Sequence, residues 1–238
     1  MASVDRETAA EAIAANIAAV RQRIARAGEV TARDAGQIAL LAVGKKQSPQ
    51  ALRAAAAEGL LDIGENYLQE AADKMALLAD LPLRWHFIGA LQKNKTRPVA
   101  ERFDWVHSVD RADLAQRLSV QRPAELPPLN ICLQVNIDGE GSKAGVAPAQ
   151  LGELIEQVVA LPQLTLRGLM AIPARGDAAQ RRHSFAQMQR LFHAARAQCG
   201  VPSFDILSMG MSADLEQAIA EGATLLRVGT AIFGSRQS

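Results

Sequence analysis

The sequence predicts an α/β fold, a single (β/α)8 TIM-type barrel with an extra N-terminal helix. Three observations carry this. Eight short apolar runs recur along the chain, and amphipathic or alanine-rich segments separate most of them. The runs are nearly continuous in apolar character rather than alternating, as in strands buried on both faces. No G-x-G-x-x-G follows the first run, which weighs against the open doubly wound sheet that the same alternation could build. With 238 residues, 49% hydrophobic and 21% charged, the chain suits one barrel domain over 1–238.

Residues 3–27 read as a helix, because Ile13, Ile17, Val20 and Ile24 form one apolar stripe and Gly28 can end it. The barrel is expected over about 36–235. Its strands are read at 38–43, 60–65, 84–89, 105–110, 130–137, 166–172, 204–210 and 224–233. The helical segments between them fall at 49–58, 67–79, 94–101, 111–119, 148–160, 179–198 and 213–220. "AAAEGLLDIG" (55–64) and "AIAEGATLLRVG" (218–229) share one joint, a helix end stopped by glycine before a short strand. The proline cluster 122–129 reads as a loop.

In such a barrel the residues just after the strands face the active site. Here they are amines, amides, hydroxyls and glycines. They supply no paired carboxylates: a glycosidase needs two facing acids, and Glu65 and Asp110 are the only candidates read at these ends. The histidines at 86, 107, 183 and 193 lack metal-ligand spacing, and there is no G-x-S-x-G elbow. What remains is a lysine nucleophile and a phosphate cradle. Lys45 and Lys46 end the first apolar run, where a buried ammonium is costly unless it is paired or loses its charge. Either both simply surface after the strand, or, since a strand alternates its faces, one points inward with a lowered pKa that makes its amine a nucleophile. "GMSAD" (210–214) reads as a turn opening a helix that Ser212 or Asp214 could cap, and Gly229 with Thr230 follows the last strand. Arg227 stands inside an apolar strand, either ion-paired or aimed at the barrel mouth. "GEGSKAG" (139–145) misses the phosphate-loop spacing and reads as a polar loop, with Lys143 reaching over the mouth.

The segments "LLAVGKK", "DIGENYLQEAADK", "WHFIGALQKNK", "RGLMAIP" and "LSMGMSADLEQAIAEGATLLRVGTAIFG" together resemble the YggS/PROSC family of pyridoxal phosphate homeostasis proteins, from about residue 36 almost to the end. The resemblance implies a barrel like the N-terminal domain of alanine racemase, with pyridoxal 5′-phosphate bound as a lysine aldimine. It places the aldimine on Lys45, with Lys46 as the alternative, because Gly44 and Lys46 stand where the family often has serine and threonine. It implies a phosphate held by Ser212, Gly229 and Thr230, Arg227 facing the pyridine nitrogen, and Asn66 and Met211 lining the pocket. A permanently charged arginine at that nitrogen should weaken the ring as an electron sink. The chain has one tyrosine, Tyr67, and the second domain that would carry the racemase's second base is expected to be absent. The resemblance therefore implies a cofactor-binding protein that delivers pyridoxal phosphate, possible recipients being apo-enzymes that use it, in preference to an amino-acid racemase.

The remaining signals set the class. Net charge is +1, and Trp85, Trp105 and six phenylalanines are too scattered for a nucleic-acid stacking platform. No run approaches the ~20 apolar residues of a membrane span, and the N-terminus lacks a signal-peptide layout. Cys132 and Cys199 form no framework. A cytoplasmic monomer without metal, nucleic-acid or membrane partners is the expectation.

Overall fold

The structure is a computed structural model that describes residues 2–141 and 143–234, with side chains from residue 8 onward. Position 235, where the expected barrel ends, and Ser142 of the glycine loop lie outside the described residues. Helix α1 (Ala2–Thr31) comes first. The barrel follows as β1 (Ala39–Val43), α2 (Pro49–Ala57), β2 (Asp62–Glu65), α3 (Leu68–Leu77), β3 (Arg84–Phe87), α4 (Thr96–Arg102), β4 (Trp105–Val109), α5 (Ala112–Gln121) and β5 (Leu129–Gln134). It continues with α6 (Leu151–Val159), β6 (Leu164–Met170), α7 (Ala178–Cys199), β7 (Ile206–Ser208), α8 (Leu215–Ala220), β8 (Leu225–Val228) and α9 (Thr230–Phe233). The eight strands pair in parallel in chain order, and β8 closes on β1, with Ala39 opposite Leu225 and Ala42 opposite Val228. This is the predicted (β/α)8 architecture.

Each strand is short, and its helix returns the chain over the barrel's outside. Helix α2 starts at Ser48, whose hydroxyl accepts from the Ala51 amide, with Pro49 in the first turn. Asp177 and Gln180 form a reciprocal cap at the start of α7. The glycine joints behave as expected: Gly59 and Gly222 take φ of +77° and +92° just past α2 and α8.

Two local expectations fail for physical reasons. Helix α1 runs through Gly28 to Thr31, and Ala32 (φ +53°) takes the left-handed position instead. Gly28 serves close approach, since a Cβ there would lie 2.8 Å from the Arg33 carbonyl oxygen. The run 224–233 is not one strand. It breaks at Gly229, whose carbonyl accepts from the Ile232 and Phe233 amides, so the second half winds into α9.

The stripe of α1 is buried as predicted, Ile17 completely. This helix packs on α2, α8 and α9, so it braces the seam where the barrel closes. Asn16 donates to the Ile232 carbonyl, Arg33 to the carbonyls of Ile219 and Ala223, and Arg23 to the Ser212 carbonyl while pairing with Glu216. Among the described residues, no helix is long and apolar enough to cross a membrane.

The turn after β7 depends on Gly210. Its φ is +90°, and a Cβ would lie 2.4 Å from the Ala218 Cβ on α8. Gly210→Ala should lower unfolding stability in urea by about 2–3 kcal/mol, combining left-handed strain with overlap in the core. A wild-type midpoint in that variant would contradict the packing described.

Candidate functional site

A cavity of about 320 Å3 opens at the C-terminal mouth of the barrel, between the ends of β1, β2, β7 and β8. It brings together all seven residues singled out from the sequence: Lys45, Asn66, Met211, Ser212, Arg227, Gly229 and Thr230. Gln47, Ile88 and Ile172 join them in the wall. Closure makes this possible, because the β1–β8 ladder sets the turn carrying Lys45 beside Gly229 and Thr230.

The two lysines are separated by a turn, not by strand alternation as the sequence suggested. Strand β1 ends at Val43, and the Gln47 amide closes a turn onto the Gly44 carbonyl at 2.9 Å. Lys46 takes φ +61° within it and is exposed, whereas Lys45 is half-buried and lines the cavity. A buried ion cluster brackets this turn. Lys74 Nζ donates to the Gly44 carbonyl at 2.6 Å, to Glu65 Oε1 at 2.8 Å and to Glu70 Oε1 at 2.6 Å. The Lys46 amide donates to that same Glu70 oxygen. The cluster thus fixes the peptide groups on both sides of Lys45. Sequence reading missed it, though Glu70 and Lys74 at helical i,i+4 spacing were a usable signal. Glu65 is fully buried, and burial pushes its carboxyl up to about 7 against the opposing bond and charge of Lys74.

Arg227 is 4% exposed, in β8. Among the described residues it makes no ion pair. Its guanidinium donates to the Ser208 carbonyl and hydroxyl, each at 2.7 Å, and to the Ala171 carbonyl at 2.9 Å. Burial lowers its pKa to about 10, which leaves it charged at neutral pH. Across the mouth, the Ser212 hydroxyl accepts from the Ala231 amide at 3.1 Å and ties the β7–α8 turn to the start of α9. Asp214 occupies the position before α8, but its carboxylate accepts from the Met211 amide. Neither expected cap therefore bonds to an α8 amide.

Lys143 departs from expectation. It pairs with Glu140 at 2.9 Å and is not among the cavity lining. Asp110 pairs with Arg111 and Glu65 with Lys74, so the two strand-end acids are already engaged. Among the described residues no cluster of His, Cys, Asp or Glu could hold a metal ion.

The wall suits an anionic, polar, ring-sized ligand. Both charged residues among the described lining are cations, Lys45 and Arg227. Asn66 Oδ1 is buried without a partner, an acceptor left for a ligand donor. A Cβ at Gly229 would press to 3.3 Å on the Val43 Cβ, so glycine keeps the backbone low at the cavity edge.

Residues 9–237 match the model of the alanine racemase N-terminal domain. The chain is 57% identical over 225 residues to the pyridoxal phosphate homeostasis protein of Pseudomonas aeruginosa, covering 94% of this chain and 96% of that one. The chain belongs to the pyridoxal phosphate homeostasis protein family. PipY of Synechococcus elongatus, solved with pyridoxal phosphate bound, superposes with a TM-score of 0.82 at 39% identity, over 93% of this chain and all of PipY. Alanine racemase from Corynebacterium glutamicum shares the fold at 16% identity and a TM-score of 0.73; the match covers 95% of this chain and 62% of that one.

Two outcomes test the ion cluster of this family member. Lys74→Met leaves Glu65 buried and unpaired and should cost about 3 kcal/mol of unfolding stability in urea. The Glu65 carboxyl sits above the ~4.3 of an unfolded chain. Its stabilising contribution is therefore complete below that value and is lost as pH rises through about 7. Relative to wild type, Glu65→Gln should gain stability between pH 5 and pH 8. A constant difference over that range would refute the raised carboxyl.

Proposed function

We propose that this chain binds pyridoxal 5′-phosphate in the mouth cavity and serves intracellular vitamin B6 homeostasis, holding the cofactor and releasing it to apo-enzymes that need it. The observation that carries this reading is the convergence on one cavity of a half-buried amine, a buried guanidinium, two hydroxyls and a close-approach glycine. PipY, whose whole chain superposes on 93% of this one, has pyridoxal phosphate bound, which supports the assignment.

In this reading Lys45 supplies the amine that takes the cofactor's aldehyde. Ser212, Gly229 and Thr230 hold the phosphate. Arg227 faces the pyridine nitrogen, and Asn66 and Met211 line the ring. When bound, the cofactor supplies an electrophilic carbon and an electron-withdrawing ring. Arg227 remains a cation and takes no proton from the ring, so it disfavours ring protonation and keeps that withdrawal weak.

Proton transfer on both faces of an amino acid needs two groups that change protonation. Among the described lining residues Lys45 is the one amine, and no histidine, tyrosine, cysteine or acid joins it. Tyr67 is 58% exposed and is not among the lining residues. This supports a holding and delivering role over racemisation.

Soaking the protein in pyridoxal phosphate, reducing with borohydride and mapping the adduct by mass spectrometry tests the reading. We expect a cofactor-sized increment on Lys45, its loss in Lys45→Ala and its retention in Lys46→Ala. A protein that stays colourless and unmodified would defeat the proposal; an increment on Lys46 would move the covalent contact one residue. Solvent α-proton exchange of amino acids in deuterated water should stay far below enzyme rates, and sustained exchange would favour the racemase.

A further inference from the structure

A line of buried polar groups crosses the barrel interior beneath the cavity, and the cofactor contacts assigned above use only its last member. It begins at Asp62, the first residue of β2, whose side chain is 24% exposed and whose carboxylate takes both prongs of Arg84 at 2.6 Å. Asp62 Oδ1 lies 3.0 Å from His86 Nε2, and His86 Nδ1 lies 3.0 Å from His107 Nε2. His107 Nδ1 lies 3.1 Å from Ser208 Oγ, which accepts from Arg227 at 2.7 Å. His86, His107 and Ser208 come from β3, β4 and β7 and are at most 1% exposed. Trp105 stacks on His86 with centroids 5.1 Å apart and fixes that ring.

The chemistry of the two ends gives this line one direction. Burial opposes the Asp62 charge, but the bonds from Arg84 and His86 outweigh it and hold the carboxyl well below the usual range. An ionised carboxylate only accepts, so His86 Nε2 carries the hydrogen. A neutral ring then offers Nδ1 as acceptor, so His107 donates from Nε2 and accepts at Nδ1. Burial keeps both rings neutral, and the charge of Arg227 adds to the effect at His107. The Ser208 hydroxyl must therefore spend its hydrogen on His107 and can present only lone pairs to Arg227.

We propose that Asp62, His86, His107 and Ser208 form a one-way hydrogen-bond chain that orients Arg227 toward the cavity, and are positioning residues for the ring of the bound cofactor. The inference rests on the pyridoxal phosphate reading above. The chain polarises Ser208 toward Arg227 from a carboxylate at the opposite end of the barrel. Arg227 is thereby held as a full cation without a neutralising carboxylate against it. An undirected hydroxyl would point its hydrogen at the guanidinium part of the time and loosen it.

Long-range proton–nitrogen spectra of 15N-histidine-labelled wild type at pH 7 should show Nε2 protonated and Nδ1 bare in both His86 and His107. A hydrogen on Nδ1, or an imidazolium, at either ring overturns the direction of the chain. Ser208→Ala and Asp62→Asn should each shift the absorption band of bound pyridoxal phosphate and weaken its retention about tenfold, the scale of one charge-assisted hydrogen bond. Asp62 is remote from the cavity and partly exposed, so Asp62→Asn reports on coupling even where Ser208→Ala fails to fold. Wild-type band and retention in Asp62→Asn overturn the positioning role. Wild type that takes up no pyridoxal phosphate overturns the cofactor reading instead, while the ring tautomers remain measurable.

Discussion

The seam between β1 and β8 is the constraint on which the rest of the molecule depends. A parallel barrel must return its last strand to its first, and here that pairing runs from Ala39–Leu225 to Ala42–Val228. It places residue 45 beside residues 229 and 230, which are far apart in the chain. Neither half of the proposed site has an amine and a phosphate cradle of its own. Helix α1 secures the seam from outside, with Arg23 reaching the Ser212 carbonyl and Asn16 the Ile232 carbonyl. The N-terminal helix is thus tied to the same loops that carry the proposed phosphate contacts.

The second constraint is a charge inside an apolar barrel. A buried guanidinium is tolerated only when its donors are met. Arg227 is met by two carbonyls and one hydroxyl on β7 and just after β6, so those strand ends are held in one arrangement around it. A direct carboxylate would satisfy the same donors more strongly but would cancel the charge that the cavity presents. The barrel keeps that carboxylate at its far end, on Asp62. On the lysine side it takes the opposite course, with a full ion cluster of Lys74, Glu65 and Glu70. That cluster acts on backbone, at the Gly44 carbonyl and the Lys46 amide. Peptide groups can be fixed by a net charge balance that a catalytic or binding cation could not accept.

The barrel was legible because its signals are local and repeated: apolar runs at regular intervals, glycine stops, and a stripe on α1. The seven cavity residues were also legible, because each sits just past a strand or is a polar residue interrupting one, and the resemblance named them together. What was not legible depends on pairing in space. His86 and His107 also interrupt apolar strands, as Arg227 does, but were weighed only as metal ligands. Their meeting requires β3 and β4 to lie side by side, and their meaning requires Asp62 and Ser208 at the two ends. Glu65 was read as a lone strand-end acid, because Lys74 lies nine residues on and turns back from α3. Lys45 and Lys46 were assigned to opposite faces of a strand. The chain reaches the same separation through a turn in which Lys46 adopts a left-handed backbone.

The rim of the cavity bears on what a protein of this design does with a bound cofactor. A catalyst closes over its reacting carbon, excludes water and sets an acid and a base on opposite faces. Here Met211 and Ile172 at the edge are 39% and 41% exposed, and Thr230 is exposed as well. The strong positioning lies beneath the cavity, in Arg227 and the hydrogen-bond chain proposed for it, and around the backbone of Lys45. Order below and access above suit a ligand that must be recognised, held and given up. In the proposed function, retention would depend on the two cations of the wall, Lys45 and Arg227, and release on the solvent that the open rim admits.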